Sequence, residues 1–210
     1  MSSIRERNQE LILRAASEEF AEKGFAATKT SDIAQRAGLP KPNVYYYFKS
    51  KENLYREVLE TIIEPLLDAA EPFNQPGEPG DVLRAFIRAK IRISRDHACA
   101  SKVFANEIMH GAPHLSHERV AQLNAQANHN IARLQGWIDE GLMAPIDPRH
   151  LMFSIWAATQ TYADFDWQIT TVTGKASLDD SDYEAAAETI IRLVLKGCEI
   201  RERAAQPVSQ

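Results

Sequence analysis

The sequence predicts an all-α protein with two domains. Apolar residues recur at intervals of three and four along most of the 210-residue chain, which is the spacing of one helical face. No segment alternates apolar and polar residues over enough positions to form a strand. A Pro- and Gly-rich segment, EPFNQPGEPG at residues 71–80, indicates a domain boundary. We therefore expect an N-terminal domain over residues 1–50 and a C-terminal helical domain over residues 71–210.

The N-terminal domain is expected to contain three helices, over residues 4–23, 31–37 and 41–48. Gly38 follows the second helix, where glycine adopts the left-handed conformation that ends a helix at little steric cost. Pro42 suits the first turn of the third helix, where its missing N–H breaks no hydrogen bond. The faces expected to be buried consist of Ile12, Ala16, Phe20, Ile33, Ala34, Ala37, Val44 and Phe48.

The third of these helices is expected to place polar side chains on its outer face. Val44 and Phe48, four residues apart, would bury against the second helix. The side chains left outside are those of Lys41, Asn43, Tyr45 and Tyr46, with Lys49 and Lys51 just beyond. Hydrogen-bond donors, phenol hydroxyls and lysines on one exposed face of a helix-turn-helix are what contact with a DNA groove requires. The sequence therefore predicts a DNA-binding unit.

The remaining chain is also predicted to be helical. A helix over residues 51–68, capped by Ser50, would link the two domains, and Pro65 would kink it or end it early. Residues 173–180 are polar and predict a loop. In the C-terminal domain, one helix is expected to begin at Asp81. Four further helices are expected over residues 99–110, 116–142, 151–169 and 183–203.

Composition and charge limit the class of protein. Hydrophobic residues make up 44% of the chain and charged residues 25%, which excludes a disordered protein. No apolar run reaches the roughly 18 residues of a membrane span. The opening residues, MSSIRERNQE, lack the apolar core of a secretion signal. We therefore expect a cytoplasmic protein with no membrane partner.

The charges are distributed unevenly between the two ends of the chain. The net charge is −5, but residues 1–51 hold nine Lys and Arg against six Asp and Glu, and the remainder holds 15 against 23. A basic N-terminal region attracts phosphates, whereas an acidic remainder stays away from the duplex. This polarity supports the DNA-binding prediction despite the negative total.

A family resemblance lies in the same region. The string GF..T....IA..AG......YYYF.SKE.LY..VL, over residues 24–59, resembles the TetR family of bacterial repressors. Residues 86–96, 107–113 and 144–165 resemble the pyrimidine-utilisation repressors of that family. The resemblance implies a repressor that binds double-stranded operator DNA and responds to a small effector, with uracil or thymine as candidates. The alternatives are an unrelated small effector, or a redox- or metal-sensing regulator of the same fold.

The resemblance also implies which side chains contact DNA. Lys41, Pro42 and Asn43 occupy the tip of the recognition helix, where base edges are contacted. Tyr45 and Lys51 match phosphate-binding positions. The full implied set is Thr28, which caps a helix or meets a phosphate, Thr30 and Ser31 in an exposed first turn, Lys41, Pro42, Asn43, Tyr45, Tyr46 and Lys51.

Pro40 departs from the family pattern, which usually has Ser or Thr before the recognition helix. Proline provides no capping hydroxyl, and such a cap contributes about 1 kcal/mol. The departure bears on how the tip of the recognition helix sits in the groove. It therefore affects the operator sequence rather than the binding itself.

The last two long helices, roughly residues 148–170 and 181–203, carry more apolar surface than the core of one protomer would use. In the family that the chain resembles, these helices pair with those of a second copy as a four-helix bundle. A helix-turn-helix dimer places two heads in successive major grooves about 34–36 Å apart. We therefore expect a homodimer; the alternative is a monomer with a thick core.

A candidate effector site lies in the helix over residues 151–169. Trp156, Gln160 and Asp164 follow one another at intervals of four, with Thr159 and Tyr162 beside them. An amide that donates and accepts, next to a stacking indole, suits a flat polar ring such as uracil. The alternative is that these residues cross the dimer interface or cap neighbouring helices. Further candidates on other helices are Lys90, Arg92, Phe104, Glu107 and His110.

Motifs for other functions are weak or missing. Cys99 and Cys198 form no C-x-x-C pair and are expected to be buried as small apolar residues. His110, His114 and His117 are separated by Gly111 and Pro113, so one helix would not present them together as metal ligands. The sequence contains no G-x-x-x-x-G-K, H-E-x-x-H or G-x-S-x-G motif. We therefore expect no enzymatic activity, no cofactor and no metal.

Overall fold

The structure is a computed structural model that describes residues 4–200. Within these residues the chain forms ten α-helices and one 3₁₀ turn, with no strand, which confirms the predicted all-α class. The helices are α1 (Ile4–Ala27), α2 (Thr30–Arg36), α3 (Lys41–Phe48), α4 (Lys51–Ala69), α5 (Pro79–Asp96), α6 (Ala98–Met109), α7 (His117–Asp139), α8 (Pro148–Asp164), α9 (Asp166–Thr173) and α10 (Asp180–Gly197).

The described chain folds into two compact units. The first extends to Leu66 and includes Asp96–Ala121, and the second comprises Leu67–Arg95 and residues 122–200. Helix α6 and the start of α7 therefore belong to the first unit, although they follow the predicted boundary at residues 71–80. The division into functional domains at that boundary stays a prediction.

The first unit contains the predicted helix-turn-helix. Helix α1 packs against α2 and α6, and α2 packs against α3. Gly38, which was expected to end the second helix, has a positive φ of 66°, and Gly24 inside α1 has a positive φ of 74° with non-helical backbone; an L side chain rarely adopts a positive φ. Of the eight residues expected to be buried, Ala37 is half-buried. The other seven, Ile12, Ala16, Phe20, Ile33, Ala34, Val44 and Phe48, are buried.

Helix α4 continues past the proline that was expected to disturb it. Pro65 lies inside the helix, which ends at Ala69 and so gains another turn. Its apolar stripe is buried at Leu54, Val58 and Ile62. Burial of this face compensates for the hydrogen bond that proline removes.

The core of the second unit is one apolar cluster contributed by α5, α7, α8 and α10. Phe73, in a 3₁₀ turn over Glu71–Asn74, packs against this cluster through the rings of Phe86 and Trp137. The predicted connector is therefore partly ordered by its own aromatic residue. The buried members at the centre of the cluster are Leu83, Ile87, Leu134, Met152, Ile155 and Ile191.

Two helix boundaries of the second unit differ from the prediction. The helix expected over residues 151–169 breaks at Phe165, whose φ of −114° and ψ of 34° are not helical, and α9 follows as a separate helix. Asp179 begins α10 with a capping box, accepting from the backbone N–H groups of Ser181 and Asp182. Helix α10 ends at Gly197, before the expected residue 203; residues 201–203 lie outside the described residues.

No helix between residues 4 and 200 combines the length and the apolar character needed to cross a bilayer.

Candidate nucleic-acid interface and effector site

Helix α3 presents the predicted polar surface. Lys41 and Pro42 are exposed and Asn43 is half-buried, all in the first turn. Tyr46 is 66% exposed and Tyr45 is 44% exposed, which is unusual for large aromatic side chains. This surface is rigid because Val44 and Phe48 anchor the opposite face of the helix in the core.

Pro40 occupies the N-cap position of α3 and provides no side-chain cap, as its sequence position predicted. Its carbonyl accepts a hydrogen bond from the backbone N–H of Asn43 at 2.9 Å. The first turn of the recognition helix is therefore held by backbone alone, and the proline ring fixes φ there.

The hydroxyls of two threonines in the implied DNA-contact set are already used within the protein, and for Thr28 these contacts cap the end of α1, which is one of its two expected roles. Thr28 is 2% exposed, and its Oγ1 donates to the backbone carbonyls of Gly24 and Glu19 at 2.8 and 3.1 Å. Thr30 was expected in an exposed turn but is 8% exposed, and its Oγ1 lies 2.9 Å from the hydroxyl of Tyr45. Thr28 therefore joins α1 to α2, and Thr30 orients Tyr45.

Lys51 has a structural role that sequence analysis did not predict. Its Nζ donates to the carbonyls of Phe25, Ala26 and Thr28, at 2.7, 3.5 and 3.1 Å. The same ammonium lies 4.4 Å from the centre of the Phe25 ring, within the range of a cation–π interaction. Lys51 therefore closes the connection between α1 and α2, in addition to any contact with phosphate.

An ionic network fixes α2 against α1. Glu19 is nearly buried, and its carboxylate contacts Arg36 Nε at 2.8 Å and Lys23 Nζ at 2.6 Å. Arg36 also forms a bidentate pair with Glu22, and Lys23 contacts Asp32. These acidic groups are neutralised internally, so they oppose phosphate binding less than the raw count of carboxylates suggests.

Two exposed lysines extend the candidate interface: Lys49, already expected beside the outer face of α3, and Lys29, which the sequence analysis did not name. Lys29 occupies the N-cap position of α2 and Lys49 the C-cap position of α3, and both side chains are exposed. Ser31 is also exposed, as predicted, and its hydroxyl donates to Asp32 at 3.1 Å. The positive charge at both ends of the motif was visible in the sequence, but its placement depended on where each helix ends.

In the second unit, three effector candidates occupy one stripe of α8. Trp156 is half-buried against the core cluster and packs on Phe153, with ring centres 5.5 Å apart. Gln160 Nε2 donates to Asp164 Oδ1 at 2.9 Å. One N–H of the Gln160 amide is therefore used within the protein. Only the rest of the amide is left to form the expected hydrogen bonds with a ligand. Thr159, next in the stripe, is fully buried.

Lys90 of α5 is a buried cation in this unit. It is 8% exposed, and the carboxylate of Asp164 is close enough to act on its charge. Burial lowers the pKa of Lys90 to about 8, while the nearby Asp164 carboxylate acts in the opposite direction. An ammonium held this way is costly to the folded state, which makes the region around it a candidate functional site.

The remaining effector candidates have other surroundings. Phe104 and Glu107 belong to the first unit rather than the second. Glu107 is 3% exposed, and its carboxylate accepts hydrogen bonds from Tyr55 and His114. The protein itself uses this carboxylate, and the assignment of Glu107 to effector binding stays a prediction. Arg92 is exposed.

A cavity of about 830 Å³ also lies in the second unit, at the start of α5 and the end of α10. Glu78, Asp81 and Arg84 line one side of it, and Leu142 and Leu195 contribute apolar surface. None of the effector candidates lines this cavity. The carboxylates of Glu78 and Asp81 at this cavity differ in charge from the ammonium of Lys90.

The cysteines and histidines do not form a site in the part of the chain described. Cys198 is buried, which raises the pKa of its thiol, and Cys99 is half-buried. Among residues 4–200, no three His, Cys, Asp or Glu side chains lie close enough together to hold a metal ion. His110 instead contacts the carbonyl of Asn106 at 2.8 Å.

Taken together, the helical fold and the exposed ridge of α3 define a helix-turn-helix transcriptional regulator. Residues 12–58 match the family described as "Bacterial regulatory proteins, tetR family", and residues 59–201 match "YcdC-like protein, C-terminal region". The HTH-type transcriptional regulator RutR of Escherichia coli is 40% identical over 186 residues, which are 89% of this chain and 88% of that protein. This chain belongs to the TetR family.

Solved structures with low sequence identity share the fold. The ketosteroid transcriptional regulator KstR2 of Mycobacterium tuberculosis aligns with a TM-score of 0.75 at 22% identity, over 95% of this chain and 98% of that one. AibR, in complex with isovaleryl coenzyme A and operator DNA, aligns with a TM-score of 0.65 at 18% identity, over 89% and 97% of the two chains. The relatives are transcriptional regulators, and this protein is not an enzyme.

Proposed function

We propose that this protein is a homodimeric repressor that binds a palindromic operator in the cytoplasm and releases it when a pyrimidine such as uracil or thymine binds the second unit. The buried ammonium of Lys90 near the carboxylate of Asp164 carries the effector part of the proposal. The exposed face of α3 carries the DNA part. Membership of the TetR family and the 40% identity to RutR support both.

The proposed DNA contacts divide into two kinds. Lys41, Pro42 and Asn43 reach base edges from the first turn of α3, where lysine suits guanine, asparagine suits adenine and the proline ring suits a thymine methyl. Tyr45 and Tyr46 place their hydroxyls near phosphates. Thr30 supports Tyr45 through their hydrogen bond. Phosphate contacts also come from Lys29, Ser31, Lys49 and Lys51.

A second copy of the chain would supply the second head. Phe153 of α8 is 49% exposed and Leu193 of α10 is 69% exposed. Phe165 and two α9 side chains, Trp167 and Val172, are also exposed. Apolar side chains on consecutive helices favour burial against an equivalent surface, and a two-fold axis then presents two α3 helices to DNA.

The proposed effector chemistry follows from the groups around Lys90. A pyrimidine with adjacent carbonyl and N–H groups offers an acceptor for the ammonium and a donor for the carboxylate of Asp164. Trp156 offers an aromatic face for stacking. A neutral ligand of this kind would accept from the ammonium of Lys90 and donate to the carboxylate of Asp164, so both charged groups would keep a hydrogen-bond partner. Gln160 orients Asp164 through their hydrogen bond.

The DNA-binding proposal is tested by selecting duplexes from a random pool with the purified full-length protein. The expected product is a two-fold symmetric site whose half-site centres are about one helical turn apart, or a multiple of it. Bound duplexes without any shared sequence would contradict a sequence-specific regulator.

The effector proposal is tested by thermal shift with uracil, thymine and a purine of similar size, using wild-type protein and the Lys90→Met variant. A pyrimidine is expected to raise the unfolding temperature of the wild type, with a smaller rise in the variant. No rise with either pyrimidine at millimolar concentration would exclude this class of effector, while leaving DNA binding intact.

A further inference from the structure

The carboxylate of Glu107 is the centre of a buried polar cluster in the first unit. Its Oε1 accepts the backbone N–H of His114 at 2.5 Å, and its Oε2 accepts the hydroxyl of Tyr55 at 3.2 Å and lies 3.1 Å from His114 Nδ1. We call Tyr55, Glu107, His114 and Phe25 the Glu107 cluster. It joins α4, α6 and the residues that follow α6.

Aromatic contacts extend the cluster to the end of α1. The His114 ring centre lies 4.5 Å from that of Phe25 and 5.0 Å from that of Tyr55. Phe25 is contacted by Lys51, whose ammonium also holds the carbonyls of residues 25–28. The segment that connects α1 to the helix-turn-helix is therefore bound on one side by Lys51 and on the other by the cluster.

The backbone after α6 adopts an unusual conformation to bring His114 back to Glu107. Gly111 and Ala112 have φ of 83° and 58°. A left-handed conformation costs an alanine roughly 1 kcal/mol, so surrounding contacts must hold it in place. The backbone N–H of Ala112 donates to the carbonyl of Glu107 at 2.9 Å, so one residue binds the turn through both its main chain and its side chain.

We propose that Glu107 is a positioning residue that holds the end of α6 against the α1–α2 connection and thereby sets the operator affinity of the protein. The chain leaves the second unit at residue 95, passes through α6, and re-enters the second unit at residue 122. Helix α6 therefore lies in the first unit, between two points where the chain crosses from one unit to the other. The proposal rests on the proposed function for its DNA-binding readout only.

The test compares Glu107→Leu, Glu107→Gln and the control Glu57→Gln in the full-length protein. Leucine has a similar size but leaves the buried hydroxyl of Tyr55 and two partly buried nitrogens of His114 without an acceptor. Glutamine keeps a polar partner for each of them, since its oxygen accepts the His114 N–H and its amide donates to the Tyr55 oxygen and to Nδ1 of His114 in the tautomer that carries its proton on Nε2; only the Tyr55 hydroxyl proton loses its acceptor. Glu57 is an exposed carboxylate of the same unit, so its neutral variant controls for the change in charge.

Two readouts separate positioning from simple stabilisation. In Glu107→Leu, hydrogen exchange of the amides in residues 24–30 and 108–115 is expected to rise about tenfold or more, while exchange in α10 stays unchanged. At a temperature where all proteins are folded, operator affinity is expected to fall about tenfold in Glu107→Leu and to remain within about threefold of wild type in Glu107→Gln and Glu57→Gln.

Unchanged exchange in residues 24–30 of folded Glu107→Leu would overturn the proposal, and so would wild-type operator affinity despite faster exchange. If Glu107→Leu does not fold, Tyr55→Phe, which removes one hydroxyl, is expected to show the same changes on a smaller scale. Absence of any such change in Tyr55→Phe would then overturn it. Failure of the wild type to bind DNA would contradict the proposed function, while the exchange readout would still decide the role of Glu107.

Discussion

The side chain of Lys51 makes several contacts within the protein itself. Its ammonium holds three carbonyls at the end of α1 and lies over the ring of Phe25. Lys41 and Asn43, in contrast, lie at the exposed start of α3 without a comparable internal role. Similar polar residues a few positions apart are therefore expected to respond differently to mutation.

Replacing Lys51 by Met is expected to lower the free energy of unfolding by about 1–3 kcal/mol, because the partly buried carbonyls of Phe25 and Thr28 lose a charged donor. It should also weaken binding to operator and random DNA alike. Lys41→Ala and Asn43→Ala should leave stability unchanged and mainly relax base preference. Urea unfolding and fluorescence anisotropy on the two DNAs measure these effects; an equal loss on both DNAs for Asn43→Ala would contradict base contact.

Lys90→Met is expected to stabilise the protein at pH 7, since it removes a buried charge. The pKa of Lys90 is about 8 in the fold, below its ordinary 10.5, so between these values the unfolded chain holds more protons. Wild-type stability should therefore rise with pH in that window, by at most about 1.4 kcal/mol per unit. Denaturant unfolding from pH 7 to 10.5 should show no such rise in the variant. A parallel rise in both proteins would contradict this assignment.

At the scale of helices, the α1–α2 pair depends on one arginine. Arg36→Met removes one of two partners of the nearly buried Glu19 and is expected to cost about 2 kcal/mol of stability. Glu22→Gln removes an exposed partner of the same arginine and should cost less than about 1 kcal/mol. Thermal unfolding monitored by circular dichroism compares them; equal losses would mean that burial of Glu19 is unimportant.

Periodicity located the helices because burial of one face determines most of their stability. It missed the break at Phe165, since no proline or glycine marks the point between the end of α8 at Asp164 and the start of α9 at Asp166. It also did not reveal the burial of Thr30 and Glu107, whose partners lie far away in sequence, Tyr45 for Thr30 and Tyr55 for Glu107. Buried polar side chains depend on such distant contacts, and spacing alone does not encode them.

At the scale of the whole molecule, the proposed homodimer would present two α3 helices to DNA. Leu193→Glu places a charge on the exposed apolar face of α10 and is expected to yield monomers that bind operator at least about tenfold more weakly. Leu142→Glu, a similar change at an exposed leucine outside α8 and α10, is the control. Light scattering reports the mass. A Leu193→Glu variant that stays dimeric would place the interface elsewhere.

In the proposed regulator, effector control would be a difference in effector affinity between two forms of the dimer. A pyrimidine that favours the release form about 100-fold supplies about 2.7 kcal/mol of coupling. Because both heads move together, such a coupling suffices to change operator occupancy. Coupling between two binding sites is reciprocal. Operator DNA should therefore weaken pyrimidine binding by the same factor by which the pyrimidine weakens operator binding.

The most direct test is fluorescence anisotropy of a labelled, selected operator bound to the wild-type protein during titration with uracil, with Lys90→Met measured in parallel. The account predicts that uracil releases the operator from the wild type, whereas the variant binds the operator equally well but keeps it at the same uracil concentration. Retention of the operator by the wild type at millimolar uracil and thymine, or equal release from both proteins, would contradict it.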